Sequence, residues 1–162
     1  MIDIRHVYQT FGDRHILKDV SLSIKEGETM VILGASGSGK STLLKLIIGL
    51  LRPTSGKVLV NGKDMGQLSE VELNEERRSM GMVFQYSALF DSLNVKENVA
   101  FGLRMHTRLS EEKIDAIVKE KLHLVGLDGI EDLMPANLSG GMKKRVSLAR
   151  AIALEPKIIL YD

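Results

Sequence analysis

Apolar and polar residues alternate over Ile2–Val7 and again over Val20–Ile24, which predicts two strands with one face buried. Lys25-Glu26-Gly27-Glu28 reads as a turn. The continuous apolar run Met30–Leu33 follows, the pattern of a strand buried on both faces in a parallel sheet. It leads into the glycine-rich stretch Gly34–Gly39, after which a helix is predicted to begin near Lys40. Leu43, Leu44, Leu46, Ile47, Ile48, Leu50 and Leu51 point all round that helix, so it is expected to be buried, with Pro53-Thr54-Ser55-Gly56 ending it. Lys57–Val60 followed by Asn61-Gly62 predicts a strand entering a hairpin turn, and Met80–Phe84 predicts another short buried strand.

From Tyr86 the pattern becomes helical. Ser110 suits an N-cap, and Glu111 and Glu112 complement the dipole of the helix that it opens. The apolar face of this helix is Ile114, Ile117, Val118, Leu122 and Val125, and Gly126 suits the C′ position. A further helix is predicted from about Gly141 to Leu154, stopped by Pro156, and Ile158–Tyr161 is a last apolar strand. The chain is therefore expected to be a three-layer α/β core, 1–85 with 155–162, carrying a helical subdomain over 86–154.

Composition narrows the classes. Hydrophobic residues make up 44% and charged residues 27% of the 162, the balance of a globular domain. A formal net charge of +1 argues against a broad nucleic-acid or anionic-membrane surface, so no nucleic-acid partner is expected. There is no cysteine, which excludes disulfides and thiolate metal sites. Met1–Arg5 carries no apolar signal region, and Leu43–Leu51 is too short to span a bilayer and contains Lys45. A cytoplasmic location is expected, with any membrane contact made through a partner. None of His6, His15, His106 or His123 has metal-ligand or triad spacing.

Gly34-Ala35-Ser36-Gly37-Ser38-Gly39-Lys40-Ser41 fits G-x-x-x-x-G-K-[ST] between a predicted strand and a predicted helix. A glycine-rich turn lets backbone N–H groups converge on one point, and a helix N-terminus adds positive potential there. Lys40 supplies a cation for β- and γ-phosphates, and the Ser41 hydroxyl can ligate Mg²⁺. The pattern points to a nucleoside triphosphate and leaves open kinase, GTPase, helicase and transporter ATPase.

Leu138-Ser139-Gly140-Gly141-Met142 offers a second anion site: Ser139 N-caps a helix while Gly140 and Gly141 leave its N–H groups unshielded. Lys143, Lys144 and Arg145 then oppose the dipole of that helix, which calls for something negative nearby.

With both motifs in this order, the chain resembles the ATP-binding subunits of ABC transporters across essentially all its length. The family signature reads LSGGQ, and Met142 stands here at its last position. The resemblance implies ATP and Mg²⁺ as ligands and a homodimer of ATPase protomers head to tail. Ser139, Gly140 and Gly141 would contact the γ-phosphate held by the other protomer. It implies membrane permease subunits as partners and a peripheral place on the inner face of the plasma membrane. It counts Thr42 with the loop residues 34–41 among the nucleotide contacts. Phe11, before Gly12, stands where the family stacks an aromatic on adenine, with Tyr8 as the rival. Gln85 occupies the position whose amide reaches Mg²⁺ and the attacking water, and is taken as catalytic together with Lys40. Asp162, after Ile158–Tyr161, stands where a carboxylate is presented to Mg²⁺.

In the family a glutamate that polarises water, a further loop and a switch histidine follow that aspartate. The resemblance therefore implies a truncated domain with an incomplete sheet, binding ATP but inactive or weak in hydrolysis. A non-hydrolysing nucleotide-binding module and a soluble ATPase of the same family stay open as alternatives. The run from Leu138 through Ala153 is similar to ATPases of Mla and mammalian-cell-entry lipid-transport systems, which would make phospholipid the cargo.

Overall fold

β1 (Ile2–Phe11) and β2 (Arg14–Ile24) pair antiparallel, and β1 takes β3 (Ser55–Val60) on its other edge. β3 turns back into the short β4 (Lys63–Asp64), so the sheet order is β2-β1-β3-β4. The turn is Asn61-Gly62, both at positive φ (51° and 82°), which matches the twist that a two-residue hairpin needs. This is a computed structural model, and it describes residues 1–162. By its internal contacts the chain divides into Met1–Arg77 and Arg78–Asp162.

The first two strands run longer than their alternation suggests, because a bulge interrupts it. His6 has φ 47°, and the pairing of β1 with β2 shifts between Ile4 and Val7. The inward positions are therefore Ile2, Ile4, Val7 and Gln9, a spacing that a strict period of two cannot reproduce. Asp19 on β2 is also left-handed, and its carboxylate lies 2.7 Å from Nδ1 of His6.

α1 (Lys40–Ile47) stops earlier than its apolar run predicts. Gly49 has φ 73°, its N–H donates to Leu46 O at 3.2 Å, and the Leu50 N–H donates to Lys45 O at 2.8 Å. That paired closure ends the helix before Leu50, which is consequently half exposed, not buried. Arg77, the last residue of α2 (Glu70–Arg77), donates to Ile48 O at 3.1 Å and Gly49 O at 2.7 Å and so covers the carbonyl end of α1. α2 has only Val71 and Leu73 as apolar positions, too few to show a helical period, although Ser69 and Glu72 form the reciprocal cap that S-x-x-E encodes.

Met30–Leu33 is not the buried strand that its composition predicts. Neither sheet includes it, and Val31 and Leu33 are 72% and 88% exposed. In a parallel sheet the neighbouring strands take up the backbone groups of such a run and packed helices cover its faces, and within these residues it has no ladder partner.

In the second unit β5 (Met80–Val83) and β6 (Ile158–Tyr161) pair in parallel. Three helices pack around their own core: α3 (Val95–His106), α4 (Glu111–Leu124) and α5 (Gly140–Ile152). Val95, Val99, Ile114, Leu122, Val146 and Ala149 are at its centre. Asn94 and Glu97 cap α3 reciprocally, Ser110 caps α4, and Gly126 closes α4 at φ 67°. The expected face of α4 is the buried one.

Candidate functional site

The glycine-rich motif Gly34–Ser41 begins in irregular backbone, not at a strand end, and its turn is held from another direction. Gly39 is the left-handed N-cap of α1, at φ 97°. A Cβ there would come within 2.7 Å of Leu17 and 3.0 Å of Ile16, so β2 supports the base of the loop and only glycine fits. Gly34 to Ser38 stay exposed, and the Ser38 N–H donates to Ala35 O at 3.2 Å to close the turn. The first turn of α1 holds no acidic residue of its own, which leaves its dipole uncompensated from within the helix. The Lys40 ammonium folds back over the loop, 2.8 Å from both Gly34 O and Ala35 O.

This donor set of helix N-terminus, glycine turn and ammonium fits a polyphosphate. No group of three or more His, Cys, Asp or Glu side chains stands ready to hold a metal by itself. Mg²⁺ that shares its ligands with bound phosphates needs no such cage, and Ser41 and Thr42 offer hydroxyls at the start of α1. In the same unit Phe11 is 46% and Tyr8 39% exposed, so either ring has a face open to a flat base.

The remaining candidates lie in the second unit. Gln85 is exposed, two residues past the end of β5, and Asp162 directly follows β6. The parallel register sets Val83 opposite Tyr161, and the Asp162 N–H donates to Val83 O at 3.0 Å. Both side chains therefore emerge at the carboxyl end of the parallel pair, the edge at which such sheets bind ligands.

Ser139 caps α5 as expected, its hydroxyl accepting from Met142 N–H at 3.2 Å, and a Cβ on Gly140 or Gly141 would meet nothing within 4 Å. The basic run that follows has a partial answer within the fold. Arg145 Nη1 lies 3.3 Å from Val125 O and 3.1 Å from Gly126 O, at the negative end of α4.

Residues 17–162 match the ABC transporter family. The chain is 48% identical over 162 residues to the intermembrane phospholipid transport ATP-binding protein MlaF of Haemophilus influenzae, covering 100% of this chain and 61% of that one. It is 50% identical over 161 residues to the probable ribonucleotide transport ATP-binding protein mkl of Mycobacterium leprae, covering 99% of this chain and 46% of that one. The dimeric structure of a post-hydrolysis state of the ATP-binding cassette MJ0796, bound to ADP and Pi, superposes with a TM-score of 0.94 at 38% identity. It is matched over 73% of its length by 100% of this chain. The fold and site thus define a mixed α/β ATP-binding cassette. The chain belongs to the ABC transporter family, as its ATP-binding domain. It spans about half the length of the curated relatives that it matches. None of its helices is long and apolar enough to cross a membrane.

Proposed function

We propose that the complete protein is the ATP-hydrolysing subunit of a membrane transporter, working as a head-to-tail homodimer beneath permease subunits on the inner face of the plasma membrane. The observation that carries this reading is the exposed loop Gly34–Ser38, with the Lys40 ammonium over it and a helix N-terminus free of acidic residues behind it. ATP is the substrate, with Phe11 under the base and residues 34–42 around the phosphates. Mg²⁺, when bound, would neutralise phosphate charge and polarise the bond that breaks. Lys40 moves from the loop carbonyls to the β- and γ-oxygens. Ser41, Gln85 and Asp162 are read as the oxygen donors for the metal, and the Gln85 amide also orients the attacking water. Ser139, Gly140 and Gly141 present α5 N–H groups to the γ-phosphate of the partner subunit. Residues 1–85 with 155–162 are read as the nucleotide-binding core and 86–154 as the helical subdomain.

The cargo is proposed to be phospholipid, supported by the 48% identity to a phospholipid-transport ATPase over the whole of this chain. The test is phosphate release and transfer of a fluorescent phospholipid by the complete transporter in vesicles, against a Lys40→Ala control. Both signals are expected to depend on Lys40. Phosphate release equal to the control overturns the motor reading. Release without lipid transfer, but with ribonucleotide uptake, overturns the cargo.

A further inference from the structure

We infer that Arg150 is a positioning residue for Gln85, gripping the turn that follows β5 by two adjacent carbonyl groups. This inference rests on the reading of Gln85 as the amide that orients water and metal.

Gln85 sits at the exposed point of a tight backbone turn. Its neighbours are tied from behind: the Ser87 N–H donates to Phe84 O at 3.0 Å, and the Ala88 N–H donates to Tyr86 O at 2.7 Å. Ser87 and Ala88 are both left-handed, with φ 61° and 46°. L-residues seldom adopt that conformation, and two in succession persist only where the surroundings hold them. Here the conformation lets both carbonyls meet one guanidinium. Arg150 Nη1 donates to Ala88 O at 2.7 Å and Nη2 to Ser87 O at 2.9 Å. The planar fork of arginine suits two acceptors side by side, which an ammonium cannot match.

The grip is anchored on its far side as well. The guanidinium carbon lies 5.8 Å from the centre of the Phe90 ring, which packs on Phe101 at 4.7 Å. The fully buried Asn98 accepts from Phe90 N–H at 2.8 Å and donates to Phe90 O at 3.1 Å. Tyr86, next to Gln85, is 86% exposed, so it holds the turn through its carbonyl and not through its ring. Burial pulls the Arg150 pKa down, with no carboxylate counteracting it. A charge kept there at a desolvation cost, bonded to loop carbonyls, is poorly explained as core packing. Arg150 stands on α5, whose N-terminus carries Ser139–Gly141, so one rigid helix presents the signature and holds the Gln85 turn. Catalytic amides need placement to within about 0.5 Å, which an untethered turn does not supply.

The test uses the complete transporter with Arg150→Met, Arg150→Lys, Gln85→Ala and the double variant Gln85→Ala/Arg150→Met. Arg150→Met is expected to lower kcat for ATP by about tenfold or more with KM within about twofold, and Arg150→Lys to fall between it and the parent protein. The double variant is expected to be no slower than Gln85→Ala within about twofold, because a positioning residue has nothing left to position. Hydrogen exchange is expected to rise about tenfold at residues 84–90 in Arg150→Met, with α3 and α5 unchanged. Losses that multiply in the double variant overturn the inference, as does faster exchange along α5 with none in the turn. Full activity in Arg150→Lys overturns the two-carbonyl grip. Should Arg150→Met fail to fold, Arg150→Lys carries the same measurements. If Gln85→Ala costs nothing, the reading of Gln85 fails, and exchange at 84–90 still decides whether Arg150 holds the turn.

Discussion

The Asp162 N–H donates to the Val83 carbonyl at 3.0 Å, joining residues 79 positions apart (162 − 83) at one end of a parallel strand pair. Because successive side chains of a strand alternate between faces, this register decides where each strand's last carboxylate or amide emerges. Gln85 and Asp162 share that edge through backbone pairing, before any ligand contributes.

Lys40→Ala is expected to weaken ATP binding roughly tenfold to a hundredfold, since a charge-assisted contact is worth about 1.5–3 kcal/mol. The fold should be unaffected, because the ammonium bonds only two loop carbonyls. Calorimetric titration with a thermal melt in parallel checks both points, and unchanged affinity would refute the phosphate-loop reading.

Phe11→Ala is expected to reduce ATP affinity about threefold to tenfold, in line with the worth of a ring-on-ring contact. Tyr8→Ala is expected to change it less than about twofold. Both rings are partly exposed, so the structure admits either. A titration in which Tyr8→Ala shows the larger loss reverses the assignment.

Ser139→Ala is expected to cost about 1 kcal/mol of stability, the usual worth of an N-cap hydroxyl. Ser139→Arg should leave ATP binding by one protomer within about twofold and abolish ATP-dependent dimerisation of the complete protein, by filling the space before the α5 N-terminus. Sedimentation with and without ATP checks this. Equal loss of monomer binding would show that the helix acts on its own chain's nucleotide.

The nearly buried Lys121 ammonium lies 2.8 Å from Glu120 and 3.2 Å from Glu155. The hydrogen bond to Glu120, helped by that to Glu155, outweighs the opposing effect of burial and raises its pKa above the ordinary 10.5. A pKa raised on folding means that its stabilisation is complete below the unfolded value and fades as pH rises through the folded one. Urea melts between pH 7 and 11.5 should show a fall in stability above about pH 10.5 that is smaller in Lys121→Met. An identical fall in the variant would rule out this contribution.

Much of the candidate site was legible because its chemistry is local. Gly34–Ser41 and Leu138–Met142 place glycines, a cap and a cation within one or two turns of backbone, and Ser139 caps α5 as its spacing demands. Ser110 and Gly126 marked the ends of α4, and Asn61-Gly62 marked the hairpin, for the same reason. The ending of α1 at Gly49 was also local, but a long apolar run around it masked the signal.

What depended on distant partners was not legible. The bulge at His6 shifts the pairing of β1 with both β2 and β3, and it puts Gln9 on the buried face, where alternation would not put it. Met30–Leu33 has the composition of a central strand and no strand beside it. The grip of Arg150 on Ser87 and Ala88 joins residues more than sixty positions apart, so no window of sequence contains both. The sequence by itself determined the caps, the turns and the glycine-rich loop before α1, since each needs only the few residues beside it. The tertiary structure alone decided strand register, burial and the fixing of the Gln85 turn. Those depend on backbone and side-chain partners that meet only after the chain has folded.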